Sequence, residues 1–194
     1  ACGVGAPLDE NVTRLLMVLK IASLSKGPSG VRRHTLETLI GMVNAGVLPL
    51  PPLAAHKRDE WRRMIDVNIH GVLNGIAAVL PRFVAQRSGH VVNVASIAAH
   101  MVMPTAGVYC ASKFAVWAIT DGLRQEHDDI RATIISPGVV ATELGNDITD
   151  QGVASALQEW RKKSLTPDAI ARAIRFALEQ PEGVDINEVI VRPA

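Results

Sequence analysis

Aromatic side chains are scarce in this sequence. Only 4% of its 194 residues are Phe, Trp or Tyr, and one tyrosine, Tyr109, is its sole phenol. Hydrophobic residues nevertheless make up 48% of the chain, so the core has to be built from Ala, Val, Ile and Leu, as suits helices layered on a buried sheet. Cysteine is nearly absent: Cys2 and Cys110 stand far apart and form no CxxC pair, which argues against a disulfide framework and a zinc site and fits a reducing compartment. No two of the six histidines lie three to five positions apart, so metal-ligand spacing is missing as well. Neither sign of charge dominates, with 20 Lys and Arg against 19 Asp and Glu. The basic groups Arg32-Arg33, Arg62-Arg63 and Arg161-Lys162-Lys163 are scattered rather than aligned, which argues against a nucleic-acid partner. Long hydrophobic runs are missing too. "LLMVLKIASL" is split by Lys20, and no run approaches the ~18 apolar residues of a membrane span. The expectation is a soluble, cytoplasmic protein with no membrane partner.

What is present is an alternation of apolar runs and helical periods from residue 38 onward. "TLIGMVNAG" (38–46) reads as a strand stopped by glycine, and a long helical pattern follows from about Asp59 to Gln86, with a kink or early end expected at Pro81. "HVVNVAS" (90–96) is a second buried-type strand, a helix is expected from about Thr105 to Glu126, and "RATIIS" (131–136) is a third strand closed by Pro137-Gly138. A polar stretch, 143–165, contains a short helix around 153–163. "TPDAIARAIRFALEQP" carries the strongest helix signal: Thr166 as N-cap, Pro167 at the first helical position, Asp168 in the first turn. Its residues Ile170, Ile174, Ala177 and Leu178 form one apolar face. "NEVIV" (187–191) supplies a fourth strand. Such alternation implies βαβ units, hence an α/β fold with a parallel, doubly wound sheet in a single domain. Residues 1–37 resist the same treatment, since "NVTRLLMVLKIASL" fits helix and strand alike.

The single tyrosine sits in "GVYCASKFAVW", four positions before Lys113. In a helix these positions share a face, so phenol and ammonium can point into one space. A nearby cation favours phenolate, and the tyrosine pKa is expected to fall from ~10 toward neutrality, where a phenol can exchange a proton. The spacing alone is common by chance. Ser96, however, stands at the end of the second strand, where open parallel sheets place their ligands, and its hydroxyl can hydrogen-bond a substrate oxygen. Asn68, in mid-helix, is either solvent-facing or able to hold a water beside a lysine.

In order and spacing, "VNAG", "VN" at 67–68, "NVAS", "YCASK", "SPGVVAT" and "NEVIVRP" resemble the short-chain dehydrogenase/reductase family over residues 38–194. The resemblance implies a Rossmann-like catalytic domain and an NAD(P)-dependent oxidoreductase, NAD against NADP being undetermined, that interconverts an alcohol and a ketone or aldehyde. It implies that Ser96 orients the substrate oxygen and that Tyr109 is the general acid/base. Lys113 then lowers the tyrosine's pKa and binds the nicotinamide ribose, and Asn68 anchors a proton-relay water. By the same resemblance Asn44, Ala45 and Gly46 lie near the adenosine half of the cofactor. Pro137, Gly138, Val140 and Thr142 border the nicotinamide, Val140 through its backbone and Thr142 through its hydroxyl, and 143–165 is the substrate lid. A homodimer or homotetramer through the two long helices is implied, with Ala111, Ala115, Ala118 and Ile119 as a small-residue stripe.

The resemblance fails at the front. The family's TGxxxGxG turn is missing, and Gly3-Val4-Gly5 has too few residues before it for a strand and Leu8 where a third glycine or alanine would stand. Only 43 residues precede Asn44, so about one βαβ unit is expected to be lost or replaced. Arg32-Arg33 could stand for basic residues that accept a 2′-phosphate, but no strand leads to them. The chain begins with Ala1, which leaves processing, truncation or a damaged reading frame open. Two alternatives therefore stand beside the oxidoreductase: a cofactor-independent lyase similar to halohydrin dehalogenases, in which the tyrosine pairs with arginine rather than with a residue like Lys113, and a non-catalytic remnant whose helices serve assembly. The expected pocket wall, Ala98 to Met103, is apolar apart from His100, which suggests a small uncharged alcohol or ketone.

Overall fold

The computed structural model describes residues 40–43, 46–146 and 148–194. Four strands, β1 (Ile40–Val43), β2 (Gly89–Val94), β3 (Ile130–Pro137) and β4 (Glu188–Val191), pair in sequence order, every pair parallel. Parallel neighbours need crossovers, and helices supply them. Between β1 and β2 run α1 (Arg58–Ile65), a π-helical turn (Asp66–His70) and α2 (Gly71–Gln86); α3 (Gly107–Glu126) joins β2 to β3; α4 (Gln151–Arg161) and α5 (Pro167–Leu178) join β3 to β4.

Alternation along β2 and β3 decides which face each helix covers. Val91, Ala132 and Ile134 pack with Val72, Ile76 and Phe83 of α2 and Val116 and Leu123 of α3. The intervening Val92 and Ile135 face the other way and meet Ile170, Ile174 and Leu178 of α5. The sheet is thus covered on both faces, as expected for a doubly wound α/β fold. Gly89 permits the tight junction of α2 and β2: a Cβ there would come within 2.3 Å of the Phe83 ring, whose full burial stabilises by about 1.5–3 kcal/mol. Asn93 donates to Thr120 Oγ1 at 2.8 Å and Thr120 in turn donates to Val116 O at 2.7 Å, a buried pair that fixes α3 over β2.

Most expected elements are found. The α5 cap is as read, with Thr166 Oγ1 accepting from Ala169 N and Pro167 opening the helix. The 143–165 helix begins slightly earlier, where Asp150 accepts from Val153 N. One expectation is corrected: no break follows Pro81, and α2 continues to Gln86, ending on Arg87 in the left-handed region. The carbonyl that Pro81 leaves unpaired belongs to Ala77, and both residues are exposed, so water can take its place.

Over Arg58–Gln86 the continuous helix also meets the length and mean hydropathy, 1.3, of a membrane span. It contacts β1 and β2 and carries the buried, hydrogen-bonded Asn68, so within this fold it serves as a crossover helix.

His90 yields a pH prediction. It is buried on β2, its Nε2 2.7 Å from Thr133 Oγ1, and burial first, with the Arg131 charge second, holds its pKa down at about 3. Between about pH 6.5 and about pH 3 the unfolded chain binds a proton that the folded chain refuses. Stability is therefore present above about 6.5 and falls with pH below it, at up to ~1.4 kcal/mol per pH unit from this residue. Denaturant titrations across that window should show the slope. The imidazole's own NMR titration, which should remain neutral to below about pH 4, tests the same point without mutation, and protonation near pH 6.5 would refute it.

Candidate active site

The site gathers at the carboxyl ends of β2 and β3, where open parallel sheets leave room between diverging loops. Ser96 follows β2 in extended backbone and caps the short turn Ile97–Ala99, its Oγ accepting from Ala98 N at 3.1 Å. The same hydroxyl reaches toward Pro137 O, the last carbonyl of β3, at 3.5 Å. Tyr109, in the first turn of α3, is 6% exposed, and the Ser96 hydroxyl is close enough to favour its ionised form. Lys113, one turn along the same helix, is also buried; its Nζ donates to Val94 O at 3.2 Å and lies 5.9 Å from the centre of the Tyr109 ring.

Burial overturns the expected sign of the tyrosine shift. The phenol is pushed up to about 12, desolvation outweighing the Ser96 hydroxyl, and the Cys110 thiol adds to the rise. Lys113 is lowered to about 8, again by desolvation. A cation on the same helical face thus does not suffice to depress the phenol, because enclosure disfavours both charged forms. Neutral phenol is the stable form of Tyr109 at neutral pH.

Asn68 lies in the π-helical turn, which widens the helix so that Gly71 N bonds back to Asp66 O. Its amide is heavily used: Oδ1 accepts from Val47 N at 2.9 Å, and Nδ2 donates to Val47 O at 3.1 Å and to Ser112 Oγ at 3.0 Å. Ser112 then donates to Tyr109 O at 2.7 Å. Asn68 therefore clips the chain after β1 onto the turn of α3 that carries Tyr109. Gly46 completes this group, since a Cβ there would lie 3.7 Å from Asn68 Oδ1 and 3.8 Å from Lys113 Nζ.

The remaining expected residues are placed less centrally. Asn44 and Ala45, with Gly3-Val4-Gly5 and Arg32-Arg33, lie outside the described residues. Gly138 donates its N–H to Val191 O at 2.7 Å, joining the end of β3 to β4. Val140 forms a parallel bridge with Leu165, and Thr142 is exposed, its carbonyl accepting from Arg161 of α4 at 3.3 Å. Both stand at the base of the 143–165 segment, and among the described residues no hydrogen bond ties either to Ser96, Tyr109 or Lys113. Sequence reasoning passed over Ser112 and the Val94 carbonyl. It also left His100 facing the pocket, whereas its Nε2 lies 2.7 Å from Glu188 Oε1 and 3.2 Å from Ser136 Oγ, turned toward β3 and β4.

A nicotinamide dinucleotide, the cofactor that the resemblance implies, fits one half of this geometry. Lys113 spends one of its three donors on Val94, and Gly46 leaves open the space beside its ammonium that a side chain would fill. Residues able to hold a ribose are thus in place. No glycine-rich turn for a pyrophosphate is found among the described residues.

A parallel, doubly wound sheet with a serine, a tyrosine and a lysine converging at its strand ends defines a Rossmann-like scaffold, and comparison with known proteins gives the family. The short chain dehydrogenase model matches residues 29–152. A relative from Staphylococcus saprophyticus, an uncharacterized oxidoreductase, is 52% identical over 155 residues, 78% of this chain and 63% of the relative. Another from Listeria monocytogenes, also an uncharacterized oxidoreductase, is 46% identical over 159 residues, again 78% of this chain and 63% of the relative. Among solved structures, the closed form of serine dehydrogenase complexed with NADP+ superposes with a TM-score of 0.71 at 30% identity, covering 78% of this chain and 63% of that one. The chain belongs to the short-chain dehydrogenase family. It spans about 63% of the length of these curated relatives. A second family model, aromatic amino acid lyase, matches residues 1–55 and overlaps the first over residues 29–55.

Proposed function

We propose that this chain carries the catalytic half of an NAD(P)-dependent oxidoreductase that interconverts an alcohol and a ketone or aldehyde. The observation that carries the reading is the convergence of Ser96, Tyr109 and Lys113 from the end of β2 and one face of α3. When bound, the nicotinamide supplies or accepts the hydride, and the chain's own residues manage the oxygen and its proton.

In the reductive direction negative charge develops on the carbonyl oxygen. The Ser96 hydroxyl donates a hydrogen bond to it, and the Tyr109 phenol donates a hydrogen bond and then its proton. A phenol raised to about 12 is fully protonated at neutral pH, which suits this donor role. Alcohol oxidation needs the phenolate and gains as pH rises. Lys113, lowered to about 8, remains largely cationic at neutral pH, where it can hold the ribose, and loses that charge as pH rises past about 8. Asn68, through Val47 and Ser112, positions Gly46 and the first turn of α3. The NADP+ in the serine dehydrogenase structure supports NADP. Consumption of NADPH that requires an added ketone or aldehyde tests the reading; no turnover with any of a panel of ketones, aldehydes and alcohols, at millimolar cofactor, would overturn it.

Assembly through the long helices belongs to the same reading. α2 exposes Leu73 at 42% and Val84 at 46%, and α3 exposes Phe114 at 41% between the exposed Ala111 and Ala118. Ala115 is half-buried, and Ile119 packs on the core, so the contact stripe is Ala111, Phe114 and Ala118. Two-fold pairing of these faces would cover them. Sedimentation at micromolar concentration should give a dimer or larger, and a purely monomeric profile would contradict it.

A further inference from the structure

A groove of about 360 Å³ opens at the carboxyl ends of β2, β3 and β4, lined by Ile97, Gly138, Val139, Trp160, Lys163 and Arg192, among others. Its floor adjoins the catalytic serine: Ile97 follows Ser96, and Gly138 follows Pro137, whose carbonyl lies 3.5 Å from the Ser96 hydroxyl. We infer that this groove holds the carboxylate of a short hydroxy acid, or of the matching keto acid, on Arg192 and Lys163, with the carbon chain against Ile97 and Trp160. The inference deepens the oxidoreductase reading and rests on it for the hydroxyl end of the molecule.

Charge accounting around the groove supports an anionic ligand. Three basic residues are consecutive at the end of α4, and two are committed. Arg161 donates to Asn146 Oδ1, Thr142 O and Leu144 O, which ties α4 to the base of the lid. Lys162 pairs with Glu159, the one acidic side chain on the groove's rim, at 2.6 Å; the other rim anion is the carboxylate of Ala194, and a ligand carboxylate competes with it for the two cations. The Lys163 ammonium and the Arg192 guanidinium have neither a hydrogen bond nor an ion pair among the described residues. They come from different elements, the end of α4 and the residue after β4, and meet at one opening. A guanidinium presents a planar fork that matches a carboxylate, and an ammonium adds a second charge without fixing direction. The rest of the lining is mainly apolar, the usual composition of a small-molecule site with few orienting polar groups. The volume is at the small end for such sites, which favours a short chain.

The uncharged substrate expected from the sequence followed from the wall at 98–103. That wall's polar residue, His100, is engaged by Glu188, and the two cations come from segments outside it.

Trp160 is half-exposed in the groove and reports its occupancy. Titration of the full chain with 3-hydroxybutyrate, without cofactor, should change Trp160 emission saturably. Butane-1,3-diol, which has the same skeleton and no charge, should not. Trp160→Phe should remove the signal, assigning it among the three tryptophans. Arg192→Gln should weaken binding by about tenfold or more and Lys163→Gln by about threefold; both side chains are exposed, so the fold is retained. An equal response to the diol, a response unchanged in Arg192→Gln, or no response to the hydroxy acid would overturn the inference. Turnover with NADPH separates it from the reading beneath it. Carboxylate binding without turnover of any substrate sinks the oxidoreductase and leaves the anion site, whereas reduction of butanone without carboxylate binding does the reverse.

Discussion

Tyr109→Phe should leave the fold unchanged and lower kcat by ~10²-fold or more. The substitution removes one oxygen from a side chain whose ring is packed with Leu48, Leu50, Met64 and Ala106, so the core keeps its volume and loses no methylene. What disappears is the exchangeable proton. Among the described residues nothing nearby is placed to replace it: Ser96 is not acidic enough, the Lys113 ammonium donates to Val94 O and lies 5.9 Å from the Tyr109 ring centre, and the Cys110 thiol is fully buried. The effect should fall on kcat more than on KM, because the proton moves only as charge develops in the transition state. Retention of more than about a tenth of the wild-type kcat, with an unchanged circular dichroism spectrum, would remove Tyr109 from the acid/base role.

The second large effect concerns affinity. This chain should bind dinucleotide weakly, with a dissociation constant two to five decades above that of a site with a complete phosphate loop. A glycine-rich turn offers backbone N–H groups and a helix N-terminus; the dipole contributes ~0.3–1 kcal/mol and each charge-assisted hydrogen bond ~1.5–3 kcal/mol. Losing two such bonds and the dipole amounts to ~3–7 kcal/mol. Lys113 keeps donors free for a ribose beside the space that Gly46 leaves open, so binding should be weak rather than absent. Fluorescence titration with NADH and NADPH checks it. Saturation at low micromolar concentration would mean that the front of the chain, or a second subunit, provides a phosphate site.

The fold was legible where local signals and tertiary packing agree. Thr166-Pro167-Asp168 opens α5 as read, and the apolar runs around residues 90, 131 and 188 are β2, β3 and β4, of which β2 and β3 are buried along most of their length between helices on both faces. The spacing of Ser96, Tyr109 and Lys113 places them together for the reason foreseen, a strand end followed by one helical face. Other features have no local signature. The π-helical turn at 66–70 is associated with Asn68 bonding to Val47, a partner 21 positions away. Pro81 passes through α2 because its face is wet, which periodicity alone does not reveal. The sign of the Tyr109 shift depends on how deeply α3 is enclosed, a property of the packed domain. Arg192 and Lys163 are unremarkable singly and gain meaning only when β4 and α4 bring them to one groove.

The proposed role of Tyr109 in a nicotinamide-dependent reaction is tested most directly by stopped-flow loss of NADPH absorbance at millimolar cofactor, with saturating ketone or keto acid, for the wild type and Tyr109→Phe side by side. Substrate-dependent oxidation of NADPH is expected in the wild type, with a loss of ~10²-fold or more in the variant. Equal rates in the two proteins, or no oxidation in the wild type with any carbonyl substrate at that cofactor concentration, would contradict it.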